Sequence, residues 1–353
     1  MKLLYLAYSR LPTEKAHGLQ IMKTCEALAV GGAEVELVVP VRRNSIIDEP
    51  FGYYDIEKKF VLRQLQTPDW VQWGMFGFVL SVALFAESAR FLPSFWKADY
   101  IYSRDALLLV QYILLGRPLV FEAHQPPNRL RLFVAKRARR LVVISKPLAD
   151  VYIKKGVRAE RVIVAGDGVD IKKFAPQISK EAARSTLLIH STEPIALYTG
   201  HLYKRKGVHT LAEAARLSGV QTYFVGGVHE DVIRFQKLCQ GVTNIHVMGH
   251  KPPSDMPLWL RAADMLVLPN SGKNLDSSTY TSPMKLGEYI ASRTPIIASK
   301  VPALESILGT SATWVEPDSA SALAAALKRS HQPTHLTPYS WDDRAKTIIS
   351  SLQ

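Results

Sequence analysis

The chain has 353 residues, 47% hydrophobic and 21% charged, with 20 Gly and 21 Pro. That globular composition, long enough for two domains, excludes a disulfide-stapled miniprotein, a fibrous repeat and a disordered tail. The 44 Lys and Arg against 31 Asp and Glu leave a net charge of +13, which attracts polyanions or anionic lipid without choosing between them. The two cysteines, Cys25 and Cys239, lie far apart and outside any CxxC or Cys/His cluster. They suggest neither a disulfide framework nor a zinc site, and they fit a reducing cytoplasm.

The opening MKLLYLAYSR has an apolar run too short for a signal peptide and reads as a first strand. Short runs rich in Val, Ile and Leu then recur, each followed by a turn and a helical pattern, the signature of parallel strands buried on both faces. They fall at 3–8, 35–40, 99–103, 118–123, 140–145 and 161–166, and the pattern restarts at 195–200, 222–227, 244–249, 264–269 and 295–299. Between the two series, Asp170 to Pro194 carries charge and proline and no strand, and reads as a hinge-bearing connector. Two doubly wound α/β domains follow, with chemistry expected in the loops after the strands.

Two stretches test a purely soluble reading. Trp70 to Ala86 (WVQWGMFGFVLSVALFA) holds 17 residues without a charge, the lower edge of a membrane span. Its interruption by Gln72, Gly74, Gly77 and Ser81 favours a buried or interfacial helix. NRLRLFVAKRARR (128–140) carries six cations and no acid, with Leu130, Phe133, Val134, Ala138 and Leu141 on one helical face. It either lies on anionic lipid or packs that face on a sheet and leaves its charges in water. Nucleic acid is not expected, because no RNA-binding aromatic signature, zinc finger or helix-turn-helix is present.

Four loops carry candidate chemistry. Gly18 stands just before a helix that follows the first strand, as a turn glycine or as a point where backbone amides approach a ligand; no GxGxxG accompanies it. Glu122 and His124 end a strand ahead of two prolines, where a histidine is either structural or an acid, base or hydrogen-bond donor. In YTGHLYKRKGV, Lys204, Arg205 and Lys206 precede a helix; cations there oppose the helix dipole unless an anion such as a diphosphate is held. In TYTSPMKLGEYIASRTP, Ser282 reads as an N-cap and Pro283 as first-turn proline, so the amides of Met284 and Lys285 point at a ligand, with Glu288 further inside. A phosphate at the helix start and a hydroxyl-rich ring reached by a carboxylate together describe a nucleotide.

Taken in order, these segments resemble the retaining, GT-B-fold glycosyltransferases of family 4, the group-1 glycosyltransferases. The resemblance runs over AHGLQIMKTCEALAVGGAEVELV, VFEAHQ, LVVISKPLADVYIKKGV, VAGDGVDIKKF, YTGHLYKRKGV and SPMKLGEYIASRTPIIAS, nearly the whole chain. It implies two Rossmann-like doubly wound domains facing a central cleft. Residues 1–175 with a returning C-terminal helix, 338–353, would hold the acceptor, and 176–337 a nucleotide-sugar donor.

Carried over, Lys206 matches the diphosphate-binding lysine and Glu288 the second glutamate of the E-x7-E motif that contacts the donor ribose. Gly18 matches the first-loop glycine near the diphosphate, and His124 the active-site histidine near the transferred sugar. The loop after Gly200 and the backbone after Ser282 would meet phosphate, and Gly249, His250 and the residues to Pro252 would edge the base. Two departures stand out: His201 replaces an arginine that clamps phosphate, and Thr281 replaces the first glutamate of the motif, with Arg205 or Lys285 available to compensate.

The implied reaction moves a hexose-type sugar from a UDP- or GDP-sugar to an acceptor hydroxyl with retention, in cell-surface glycan, lipopolysaccharide or glycolipid synthesis. No bound cofactor and no metal are expected. The acceptor would be a glycan or lipid-linked molecule, and the protein would be cytoplasmic, reaching the inner face of an anionic membrane through 128–140 and 70–86. Three rivals stay open at this point: a nucleotide-sugar 2-epimerase of the same fold, a binding subunit that has lost catalysis, and a polyanion-binding protein.

Overall fold

The computed structural model describes residues 1–273 and 284–353. The chain divides into two compact units, Met1–Gly168 with Ser340–Gln353, and Val169–Tyr339.

In the first unit the strands are β1 (Lys2–Leu6), β2 (Glu34–Pro40), β3 (Val61–Leu65), β4 (Tyr100–Ser103), β5 (Leu119–Ala123), β6 (Arg140–Val143) and β7 (Val162–Val164). They form one sheet in the order β3-β2-β1-β4-β5-β6-β7, parallel throughout. In the second, β8 (Ile195–Thr199), β9 (Gln221–Val225), β10 (Ile245–Gly249), β11 (Met265–Leu268), β12 (Ile296–Ser299) and β13 (Thr313–Val315) lie in the order β10-β9-β8-β11-β12-β13, again parallel. Both orders reverse direction once, between β1 and β4 and between β8 and β11. The carboxyl ends of those strands are where a doubly wound sheet leaves a crevice for ligand.

Every expected strand forms, with ends shifted by a residue or two, and the structure adds two edge strands, β3 and β13. Residues of β3 are exposed or half-buried throughout, so no buried apolar run marks it. The segment Asp170 to Pro194 is a built part of the second unit, not a loose connector. It forms helices Ile171–Phe174 and Lys180–Thr186, and Phe174, Ala183 and Ile189 enter the core with Leu260 and Ile290. The division therefore falls at 168/169 and 339/340, against the expected 175/176 and 337/338. On one side the Val169 amide donates to the Tyr339 carbonyl at 2.9 Å; on the other, Gly168 lies so close to Trp341 that an added Cβ would sit 2.4 Å from its amide nitrogen.

Residues 128–140 are not one helix. Asn128 caps a helix Arg129–Arg137, Ala138 is extended, and Arg140 and Leu141 belong to β6. Val134 and Ala135 face inward, while Phe133 is 41% exposed with the Arg137 guanidinium 3.8 Å above its ring. Residues 71–90 are long and apolar enough to cross a membrane by length and composition alone, with mean hydropathy 1.3. They start as a 3-10 turn, Val71–Trp73, and continue as helix Gly74–Arg90. Trp70 folds back along that helix: its amide donates to Ser81 Oγ at 2.9 Å and its carbonyl fills the space where a Cβ on Gly77 would stand. Val82, Phe85 and Ala89 are buried in the first unit.

Candidate active site

At the carboxyl end of β8 three segments converge in the second unit. Helix Met284–Ser292 is tied to the strand end by Tyr289, whose hydroxyl accepts from the Thr199 amide at 2.9 Å, and by Lys285, whose Nζ donates to the Thr199 carbonyl at 3.1 Å. Lys285 Nζ also lies 3.8 Å from the centre of the Tyr198 ring. Lys204–Lys206 form a 3-10 turn leading through Gly207 into helix Val208–Ser218. Gly207 has φ +74°, and a Cβ there would stand 1.5 Å from the Pro269 carbonyl oxygen, so only glycine lets the cationic turn pack against the end of β11.

Among the described residues the electrostatics of this cluster are unbalanced. Burial lowers the pKa of Lys206, and Arg205 lowers it further. Burial and the charge of Lys206 push Lys285 well below the usual lysine range, with Glu288 opposing. Burial pushes the Glu288 carboxyl up to about 7 against the pull of Lys285 and Lys173. His201 stacks on Tyr203, centroids 4.9 Å apart, and Arg205 covers the Tyr203 ring at 4.6 Å. Burial lowers the His201 pKa, Asp231 opposes, and Lys206, Arg205 and His250 reinforce, and its buried Nδ1 has no hydrogen-bond partner among the described residues. Desolvated, mutually repelling ammonium groups beside an unpartnered ring nitrogen gain from an anion in their midst. Gly200 follows β8 and Gly249 ends β10, the Gly200 amide donating to the Val225 carbonyl and the Gly249 carbonyl accepting from the Gly226 amide. Thr281, Ser282 and Pro283 lie outside the described residues; Met284 begins the helix.

In the first unit, Gly18 is the third residue of helix Ala16–Val30 and does not precede it. Its amide donates to the Lys15 carbonyl at 3.0 Å, and a Cβ on it would stand 2.1 Å from the Tyr54 hydroxyl. The missing side chain thus serves the packing of Tyr54, which binds the Thr13 amide and carbonyl at 2.7 and 2.9 Å.

His124 follows β5 and its Nε2 lies 2.6 Å from Glu122 Oε1. Glu122 is fully buried; it also accepts from Gln20 Nε2 at 2.6 Å and Tyr102 Oη at 2.5 Å, and pairs with Arg344 at 2.7 Å. Burial alone would raise its carboxyl, but Arg344, the His124 hydrogen bond and Arg104 hold it well below the usual range. Arg104 donates to Gln20 Oε1 at 2.7 Å. Nearby, His17 Nε2 meets Ser9 Oγ at 2.9 Å, and burial with Arg104 and Lys15 lowers its pKa to about 4.

Sequence reading missed Gln20, Tyr102, Arg104 and Arg344. For Arg344 a signal existed: Trp341, Arg344, Ala345, Ile348 and Leu352 are the buried face of the last helix, and a cation within an apolar i, i+3, i+4, i+7 stripe needs a buried partner. Among the described residues, no group of three or more His, Cys, Asp or Glu is placed to hold a metal ion.

Two family models match the chain, one described as "Glycosyltransferase Family 4" over residues 19–173 and one as "Glycosyl transferases group 1" over 193–332. The chain belongs to this family and is a glycosyltransferase. Among curated relatives, a D-inositol 3-phosphate glycosyltransferase of Corynebacterium urealyticum is 22% identical over 300 residues, 75% of this chain and 68% of its own length. Its counterpart in Pseudarthrobacter chlorophenolicus is 24% identical over 76% of this chain and 58% of its own length. Among solved structures, Anabaena HepE in complex with UDP and glucose matches with TM-score 0.76 and 17% identity, covering 100% of this chain and 99% of its own. At that identity the likeness is one of fold, the GT-B fold.

Proposed function

We propose that the protein transfers a hexose-type sugar from a nucleotide diphosphate sugar, UDP- or GDP-linked, to an acceptor hydroxyl with retention of anomeric configuration. The observation that carries this reading is the pair of desolvated cations, Lys206 and Lys285, at the carboxyl end of β8, where among the described residues only Glu288 opposes the shift of Lys285 and no carboxylate opposes that of Lys206. A diphosphate supplies the counter-charge. As the glycosidic bond breaks, negative charge grows on the leaving diphosphate, and Lys206, Lys285 and Arg205 stabilise it more than they stabilise the bound donor. Glu288 accepts from ribose hydroxyls, Gly200, His201 and the helix start at Met284 and Lys285 edge the phosphates, and Gly249 and His250 edge the base. His124 positions the transferred sugar, while the acceptor proton leaves with the departing phosphate. UDP in the HepE complex supports a uridine donor.

The acceptor is a glycan or lipid-linked molecule met at an anionic membrane surface. Trp73, Met75 and Phe76 are 58%, 77% and 75% exposed at the start of helix Gly74–Arg90. That helix and the cationic helix Arg129–Arg137 both pack against Ala106–Leu109 in the first unit, which sets exposed aromatic and basic groups on elements sharing a neighbour.

The test is thermal stabilisation by UDP, GDP, ADP and their sugars, repeated with Lys206→Ala. A base-specific rise that the variant loses supports the donor site, because a ligand that binds only the folded state stabilises it. No rise with any nucleotide at millimolar concentration overturns it and leaves a member of the family that does not hold a donor.

A further inference from the structure

Glu122 sits one residue before the end of the interior strand β5, bonded to Gln20 of the helix that follows the first strand, and is paired by a side chain that arrives from more than 200 positions away in sequence. Its Oε1 receives His124 Nε2 and Gln20 Nε2 at 2.6 Å each, with an Arg344 guanidinium nitrogen at 2.7 Å; its Oε2 receives the Tyr102 hydroxyl. Arg344 is itself fixed, donating to the carbonyls of Ala165 and Gly166 beyond β7. The helix that delivers it starts at a capping box, with the Ser340 hydroxyl and the Asp343 carboxylate satisfying each other's amides.

We propose that Glu122, anchored by Arg344 from the last helix, is a positioning residue that locks the His124 imidazole in one tautomer, with the proton on Nε2 and Nδ1 left as a hydrogen-bond acceptor. The argument is one of donor and acceptor bookkeeping. An ionised carboxylate can only accept, so the nitrogen 2.6 Å from it must carry the hydrogen. Glu122 is kept ionised by the full desolvated charge of Arg344, since neither partner can be neutralised without stranding the other in the core. The Gln20 amide nitrogen and the Tyr102 hydroxyl donate to Glu122, and Arg344 faces it as an ion pair with no acceptor of its own, so every neighbour demands an acceptor or anion at this position.

One consequence rests on the proposed function: Nδ1 receives a hydroxyl hydrogen of the bound sugar or acceptor and does not donate one. The C-terminal fourteen residues, Ser340–Gln353, then act on the candidate site through a single ion pair and not merely as packing.

The test uses the full chain labelled with 15N-histidine and a long-range proton–nitrogen imidazole spectrum at pH 7.5, with the His124 signals identified by their absence in His124→Gln. The expected pattern is a protonated Nε2 and an unprotonated Nδ1. A protonated Nδ1, an averaged pair or an imidazolium pattern overturns the proposal, and none of these results depends on the donor or acceptor. The second arm is Glu122→Gln combined with Arg344→Met, which removes both buried charges together where either alone would leave an uncompensated ion. The folded double variant should lose the single-tautomer pattern and release nucleoside diphosphate from UDP-glucose or GDP-mannose with kcat lower by roughly tenfold or more, with donor KM little changed. A retained tautomer pattern in that variant means Glu122 is structural only and overturns the proposal. If the tautomer matches but neither sugar nucleotide is turned over by the parent protein, the donor reading fails while the lock stands.

Discussion

Glu288 offers a test in which stability and function point in opposite directions. Burial pushes its carboxyl up to about 7 from an ordinary 4.5, so ionising it in the folded protein costs about 3 kcal/mol at pH well above 7. The folded state holds the proton more tightly than the unfolded chain. The associated stability is therefore fully present below pH 4.5 and is lost as the pH rises through about 7. Glu288→Gln carries no charge at any pH, so the variant should match the parent at pH 4.5 and exceed it at pH 8.5. Lys285 loses a nearby carboxylate in the variant, which offsets part of the gain; for a unit of this size the net rise in Tm is expected at roughly 3–10 °C. Calorimetric melts of both full-length proteins at the two pH values measure it. The same variant should lose nucleotide-induced stabilisation, because a carboxylate that costs stability is retained for what it binds. A variant no more stable than the parent at pH 8.5, or one whose advantage is the same at both pH values, refutes the reasoning.

Lys206→Ala should lower kcat/KM for the donor about 10²–10³-fold, the scale of removing one preorganised charge stabiliser, as read by nucleoside diphosphate release. Gly18→Ala should destabilise the first unit by about 1–3 kcal/mol, since its Cβ would stand 2.1 Å from the Tyr54 hydroxyl. Combining it with Tyr54→Phe should recover part of that loss, and strict additivity in urea unfolding would show that the clash is not the cause. Phe76→Glu with Met75→Glu should abolish co-flotation with vesicles containing anionic phospholipid while leaving nucleotide binding intact; unchanged flotation would mean that this exposed apolar start of the helix does not meet lipid.

The strands were legible because a parallel strand covered on both faces must be apolar along its length, and β1, β5, β8 and β11 are buried at nearly every position. The same rule hides β3, whose residues are never fully buried, and the three-residue β13. The connector was misread for a related reason: Asp170 to Pro194 is mostly polar, yet a few apolar side chains, Phe174, Ala183 and Ile189, are enough to dock it. Residues 128–140 looked like one amphipathic helix because a 3.6-residue period was traced through Ala138 into Leu141, where the chain has already entered a strand. In the second unit, Lys206, Lys285 and Glu288 were legible as a group because each is a charge at the end of a strand or the start of a helix. The Glu122 network was not, since its members come from four segments and only the fold brings Arg344 to β5. Gly18 shows a demand that sequence reasoning did not foresee, since the packing of Tyr54 by itself already requires a glycine there.

The most direct test of the donor site is calorimetric titration of the full chain with UDP, GDP and ADP at pH 7.5, alongside Lys206→Ala and Lys285→Ala. The account predicts that one base is preferred and that each variant loses at least about tenfold in affinity, the value of one charge-assisted contact. Binding unaffected by either substitution, or no binding of any nucleoside diphosphate to the parent protein, would contradict it.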